Sequence, residues 1–224
     1  MPKETIDPAA LESLAIFPLP NAVLFPGALL PLHVFEERYR ELTRDVLAGD
    51  KLMAIAQLKP GFDEESYKGA PEVFDVAGVG SVVASDKLPD GRYYMVLRGM
   101  SRVHIEEELS HDRAYRKVKA RLLHDELPPG AAGDLELNHQ QLVALCDRLS
   151  IVVKSDSGDE LRKLARDAQE PGACADLVAA ALVDEPGQRQ GLLEELNPVL
   201  RLERVSEFVA RLISEIDPDR EMLN

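Results

Sequence analysis

The chain has 224 residues, 45% of them hydrophobic, and a formal net charge of −14 with a sequence pI near 4.8. That apolar content supplies a packed core and excludes a disordered chain, and the length suits one large domain or two small ones. The acidic balance argues against a protein that tracks nucleic-acid phosphates or an anionic membrane, since both need a basic face.

The stretch 14–35, "LAIFPLPNAVLFPGALLPLHVF", contains no Asp, Glu, Lys or Arg. It is not built as a signal peptide, because Glu4, Asp7 and Glu12 precede it against Lys3. Nor is it built as a spanning helix: Pro18, Pro20, Pro26 and Pro31 would remove backbone hydrogen bonds that lipid cannot replace. It reads instead as short extended pieces buried by the rest of a soluble protein, and Cys146 and Cys174, both expected as free thiols, fit a reducing, cytoplasmic setting. Ala15–Leu19 is a predicted strand, with Pro18 at an edge or strand end. Phe25-Pro26-Gly27 is a turn, in which proline presets φ and glycine permits the positive φ that follows. Ala28–Val34 is a second strand, and Pro31 marks an edge or a bulge. Phe35, Tyr39, Leu42, Val46 and Leu47 then share one helical face, with Glu36 and Glu37 at its positive end and Gly49 at C′.

Lys51–Leu58 reads as a buried strand and 59–73 as a loop. Val76–Ser85 is a strand whose Gly78 and Gly80 allow another backbone to approach closely. Leu88–Gly91, "LPDG", turns into a strand over 92–99. Arg102–Leu109 and Tyr115–Leu123 complete the β region; in the last, Val118, Ala120 and Leu122 alternate with Lys117, Lys119 and Arg121, as in a half-buried antiparallel strand. After "ELPPGAAGD" at 126–134 the pattern is helical. Leu142, Leu145, Cys146, Leu149, Val152 and Val153 keep helical spacing. Ser157–Glu160 fits a capping box. Cys174, Leu177, Val178, Ala181 and Leu182 form another stripe. Asn197-Pro198 supplies an N-cap and an N1 proline to a last helix burying Val205, Phe208, Val209, Leu212, Ile213 and Ile216, with a frayed tail over 217–224. The expected fold is α+β: a β-rich part over 1–126, then a helical bundle over 127–224.

Several of these segments together resemble the amino-terminal substrate-binding domain of Lon ATP-dependent proteases. They are Phe17-Pro18-Leu19, Val23-Leu24-Phe25-Pro26-Gly27, Leu30-Pro31-Leu32 and "VFEERY" at Val34–Tyr39. Met53–Gln57, Asp75–Val83, Leu88–Ile105 and Leu192–Leu212 continue the match. "VFEERY" is similar to stand-alone members and to the related domain of cereblon. The resemblance implies a PUA-like pseudo-barrel followed by a helical bundle. It also implies recognition of protein substrates, and the family's use of this region in oligomerisation makes a homo-oligomer one expected state.

Signs of chemistry are sparse. The chain has no Gly-Lys pair, so the family's P-loop ATPase is not expected in it, and it ends too soon for the Ser-Lys protease module. It has no CxxC, G-x-S-x-G or H-E-x-x-H. Ser81 reads as a plain strand serine, and Glu106-Glu107-Glu108 as a solvated strand edge that deters pairing. His104 and His124 read as strand-surface or satisfied groups, and Cys146 and Cys174 as buried free thiols. No catalytic, cofactor-binding or metal residue is expected. Glu36, Arg38 and Tyr39, with Pro18, Pro26, Gly27, Pro31 and Phe35, are expected to shape the strand-to-helix architecture. Peptide contact is expected at the loop apolars Leu24, Phe25, Phe62, Tyr67 and Leu88, with Phe25 equally readable as a core plug. The expected function is a non-catalytic module binding polypeptides, with no nucleic acid and no membrane. The alternative is a small-molecule-sensing regulatory domain with a pocket between barrel and bundle.

Overall fold

The computed structural model describes residues 5–61, 70–110 and 112–217, and the chain divides into two compact units between His124 and Asp125. The first unit runs α1 (Pro8–Leu11), β1 (Leu14–Leu19), β2 (Leu29–Val34), α2 (Glu37–Ala48), β3 (Leu52–Gln57), β4 (Val76–Lys87), β5 (Tyr93–Leu109) and β6 (Arg116–Leu123). Its sheet has the order β2-β5-β4-β3-β1-β6, and β6 pairs back onto β5. Five strands thus close a ring, and β2 lies along β5 outside it. β1 and β3 are parallel; the other pairs are antiparallel.

β5 makes the ring possible. Its first half holds β2, from Val34↔Tyr93 to Leu29↔Arg98, and its second half holds β6, from Arg102↔Leu123 to Leu109↔Lys117. The strands expected separately at 92–99 and 102–109 are therefore one 17-residue strand. Gly99 does not break it, because it pairs with Gly80 inside the β4–β5 ladder. The glutamates 106–108 are likewise not an edge. They lie in β5 against β6, where Arg116 binds Glu108 at 2.7 Å and Arg121 reaches Glu106 at 3.7 Å.

The prolines sit where no ladder bond is lost. Leu58 N donates to the Leu19 carbonyl, so alternate residues of β1, Pro18 among them, face away from β3. On that side β6 pairs no further than Ile16. Gly99 N donates to the Ala28 carbonyl, which turns the even residues of β2 toward β5 and leaves Leu29, Pro31 and His33 on the open edge. Pro26 and Gly27 form the expected turn: Gly27 has φ 80°, and Ala28 N donates to the Phe25 carbonyl at 3.1 Å.

Ahead of that turn, Val23–Phe25 threads into the core. The Leu24 carbonyl lies over Gly78 and the Phe25 carbonyl over Gly99, where any Cβ would collide with it. Leu24, Phe17, Tyr39, Leu42, Met53 and Leu97 belong to one apolar cluster. Leu11, Leu14, Ile16, Val79, Val103 and Val118 belong to a second.

Helix α2 starts two residues later than its apolar spacing suggests. Glu36 is its N-cap, so Phe35, expected on its buried face, precedes it and is 61% exposed. Tyr39 is buried and stacks on Phe17 with ring centroids 4.0 Å apart, while Arg38 bonds Glu36 at 3.0 Å. Gly49 closes the helix with φ −102°, not in the left-handed region; the positive φ falls on Lys51. There the chain turns sharply, with the Asp50 carboxylate accepting from Leu52 N. Arg40 Nε donates to the Gly91 carbonyl at 2.8 Å and ties α2 to the β4–β5 turn.

The second unit contains α3 (Ala132–Val153), α4 (Asp156–Asp167), α5 (Pro171–Leu182), α6 (Pro186–Glu194) and α7 (Pro198–Ile216). Asn197 caps α7 as expected, accepting from Val199 N at 3.0 Å. The cap of α4 is Ser155, two residues before the predicted box, and its hydroxyl accepts from Gly158 N. Leu142, Cys146, Leu149, Val178, Leu202, Val205, Val209 and Ile213 are buried, whereas Ile216, expected on the buried face, is exposed at the helix end. Of the expected tail only Asp217 is described. Arg201 is fully buried, 3.0 Å from Asp176, forked onto Asp125 at 2.8 and 2.9 Å, and bonded to the Glu195 carbonyl at 2.7 Å. Removing one partner of such a buried pair typically costs about 3–5 kcal/mol, because the other charge is left uncompensated.

Candidate functional site

Of the residues expected to touch a peptide, Leu24, Phe25 and Leu88 are described, and they do not form an exposed surface. Leu24 and Phe25 are 1% and 0% exposed, so of the two readings of this turn the plug is the one realised, and neither side chain offers surface. Leu88 is half-buried in the β4–β5 turn. Phe62 and Tyr67 lie outside the described residues.

A different surface has the form of a site. β2 reads "LLPLHV", apolar at nearly every position. Leu30, Leu32 and Val34 turn inward, so Leu29, Pro31 and His33 must turn outward. The registers place these beside outward residues of β5 and β4 in three rows. The first is Leu29–Arg98–Ser81, the second Pro31–Val96–Ala84, and the third His33–Tyr94–Asp86. A bulge between Val82 and Ala84 also brings Val83 to the surface. Between the second and third rows lies a groove of about 440 Å³. Leu29 is 61% exposed, Tyr94 52% and Val83 43%. The His33 ring stacks on Tyr94 at 4.6 Å and meets Phe35 at 5.9 Å, so Phe35 extends the aromatic end of the groove. Apolar side chains gathered on an exposed concave face, with a few polar groups among them, are what a binding surface requires.

Sequence reasoning looked for contact residues in loops and did not single out this face, which lies on strands. The available signal was a strand apolar on both faces whose proline already marked it as an edge.

Cys146, Cys174 and Tyr115 are buried. Burial pushes the Cys146 thiol up to about 12 and the Cys174 thiol up to about 11, so neither supplies a thiolate near neutral pH. Burial, then its hydrogen bond to Asp45 at 2.8 Å, pushes the Tyr115 hydroxyl up to about 12. Ser81 is half-buried in β4 between Leu52 and Arg98. His104 is half-buried on β5, and His124 is exposed. Among the described residues no three His, Cys, Asp or Glu side chains are grouped to hold a metal ion, and no helix is long and apolar enough to cross a membrane.

Comparison with known proteins adds three findings. Residues 13–211 match the model of the ATP-dependent protease La (LON) substrate-binding domain. Among curated proteins, the chain is 26% identical to a Lon protease of Desulfosudis oleivorans over 87% of this chain and 23% of that protein. It is 29% identical to one of Geobacter metallireducens over 88% and 24% respectively. The chain therefore spans about a quarter of the length of the curated relatives it matches. Among solved structures, the N-terminal domain of the Mycobacterium avium complex Lon protease shares its fold, with a TM-score of 0.67 at 16% identity over 88% of this chain and 98% of that one. A Lon N-terminal domain protein from Xanthomonas campestris superposes with a TM-score of 0.55 at 25% identity, covering 86% of this chain and 96% of that one.

Proposed function

The chain belongs to the ATP-dependent protease La (LON) substrate-binding domain family, and from that membership we propose that it is a non-catalytic module that binds polypeptide segments in the outer groove of β2, β4 and β5. The observation that carries this reading is an open groove of about 440 Å³ lined by Pro31, Ala84, Tyr94 and Val96 among others, on a domain whose family is named for binding substrates. Burying apolar client side chains there supplies the driving force, at about 25 cal/mol per Å² before ordering costs. Clients are protein segments with exposed apolar side chains. Nucleic acid is disfavoured by the net charge of −14. The module works in the cytoplasm and contributes recognition, not ATP hydrolysis or peptide cleavage.

Fluorescence anisotropy with labelled apolar peptides tests this. Micromolar binding that weakens about tenfold in Tyr94→Ser and Leu29→Ser is expected. Absence of binding across a peptide array, or binding indifferent to both variants, overturns it. A metabolite that raises the melting temperature in a screen where no peptide does so turns the reading toward a small-molecule sensor.

A further inference from the structure

Resting on that reading, we infer that the groove selects extended client segments in which a lysine or arginine is flanked by apolar residues, the cation seating between the Tyr94 ring and the Asp86 carboxylate. Tyr94 stands in the middle of the third row, with His33 opposite it on β2 and Asp86 opposite it on β4. The His33 ring lies at 4.6 Å and 23° from the Tyr94 ring, covering it from the β2 side. Tyr94 nevertheless remains 52% exposed, and it lines the groove together with Asp86. Side chains paired across strands lie about 5 Å apart. A cation on the Tyr94 ring is therefore within reach of the carboxylate as well as the π-cloud.

Asp86 is the acid suited to this. Other carboxylates of the unit are held by cations: Asp90 by Arg92 at 2.6 Å, Asp45 by Arg113 at 3.3 Å and Glu108 by Arg116 at 2.7 Å. Among the described residues Asp86 is in no ion pair. One row along, about 7 Å away for a step of two strand residues, the groove is apolar at Pro31, Val96 and Ala84. An apolar client side chain two positions from the cation would cover it. Arg98 stands four residues along β5 from Tyr94, so positive charge is favoured at one end of the face and opposed at the other. The net charge of −14 draws basic segments toward the protein from a distance.

Three labelled peptides with one apolar framework and a central Lys, Gln or Glu test the inference by anisotropy, against the wild type, Asp86→Asn and Asp86→Lys. On the wild type the Lys peptide is expected to bind about five- to tenfold more tightly than the Gln peptide, the scale of one exposed cation–π contact plus one exposed ion pair. Asp86→Asn is expected to shrink that preference to about twofold, and Asp86→Lys to reverse it in favour of Glu. Each preference is read as the ratio of Lys-, Gln- and Glu-peptide affinities within one protein, and an unchanged urea-unfolding midpoint reports that both variants fold. Equal wild-type affinity for Lys and Gln peptides, or a Lys preference that survives Asp86→Lys, overturns the charge selection while leaving polypeptide binding intact. Failure of all three peptides to bind removes both.

Discussion

Both faces of the β2–β5–β4 ladder carry apolar side chains, and their fates are opposite. On the inner side Val34, Tyr93, Met95 and Leu97 are buried, with Leu24 packed among them. On the outer side Leu29, Tyr94 and Val83 face solvent. A strand with one wet face normally alternates apolar with polar residues. Where the alternation is lost, composition no longer says which side is core; the covering segment does. Val23–Phe25 covers the inside, and no segment among the described residues covers the outside. The inner face holds the fold, and the outer face is the one proposed to take a client.

That contrast can be broken or sharpened by substitution. The largest effect belongs to the inner side: Phe25→Ala should cost about 3–5 kcal/mol of stability, read from the midpoint of urea unfolding, while whatever remains folded binds peptide normally. Gly78→Ala comes next. Its methyl would meet the Leu24 backbone, which cannot give way as a flexible side chain can, so a loss of about 1–3 kcal/mol is expected. Gly61→Ala, with nothing near its Cβ but φ +96°, separates backbone strain from collision and should cost about 1 kcal/mol. On the outer side Tyr94→Ser should leave the unfolding midpoint within about 1 kcal/mol, the scale of a cross-strand pair, while weakening peptide binding about tenfold. An equal loss of stability on both faces would erase the distinction.

A last test is a pH dependence of the interior, felt only in alkali. The Tyr115 hydroxyl is raised from 10.0 to about 12, by burial first and by Asp45 second. Above pH 10 the unfolded chain gives up this proton and the folded chain keeps it, so the contribution is intact below pH 10 and is lost as pH rises toward 12. The buried thiols act in the same direction from pH 9 upward. Tyr115→Phe should flatten the alkaline fall in stability, and Cys146→Ala should flatten its earlier part.

Much of the architecture was legible in local chemistry. Pro26 and Gly27 announce a turn in any context, and Asn197-Pro198 announces a helix start. What was not legible depends on partners distant in sequence. Gly99 looked like a break because nothing near it in sequence shows that the Phe25 carbonyl fills the space its missing side chain leaves. Phe35 sat in phase with Tyr39 and Leu42, yet the helix begins after it, and periodicity alone cannot place that boundary. Arg201 reads like any helix-surface cation until Asp125 and Asp176 arrive from elsewhere in the chain. The groove was hidden for the same reason: Leu29, Tyr94 and Asp86 form one surface only after three strands are in register. The family resemblance pointed to substrate binding but placed it nowhere on the molecule.

The ring of strands also sets a schedule for synthesis. β1 is made early, yet Leu14–Ile16 pairs with Arg116–Val118, about a hundred residues later, and contacts so distant in sequence form slowly. A nascent chain halted before Arg116 cannot close its ring, and the apolar stretch 14–35 then has only part of its cover. Until β6 clears the ribosome, a protein proposed to grip exposed apolar segments is itself one.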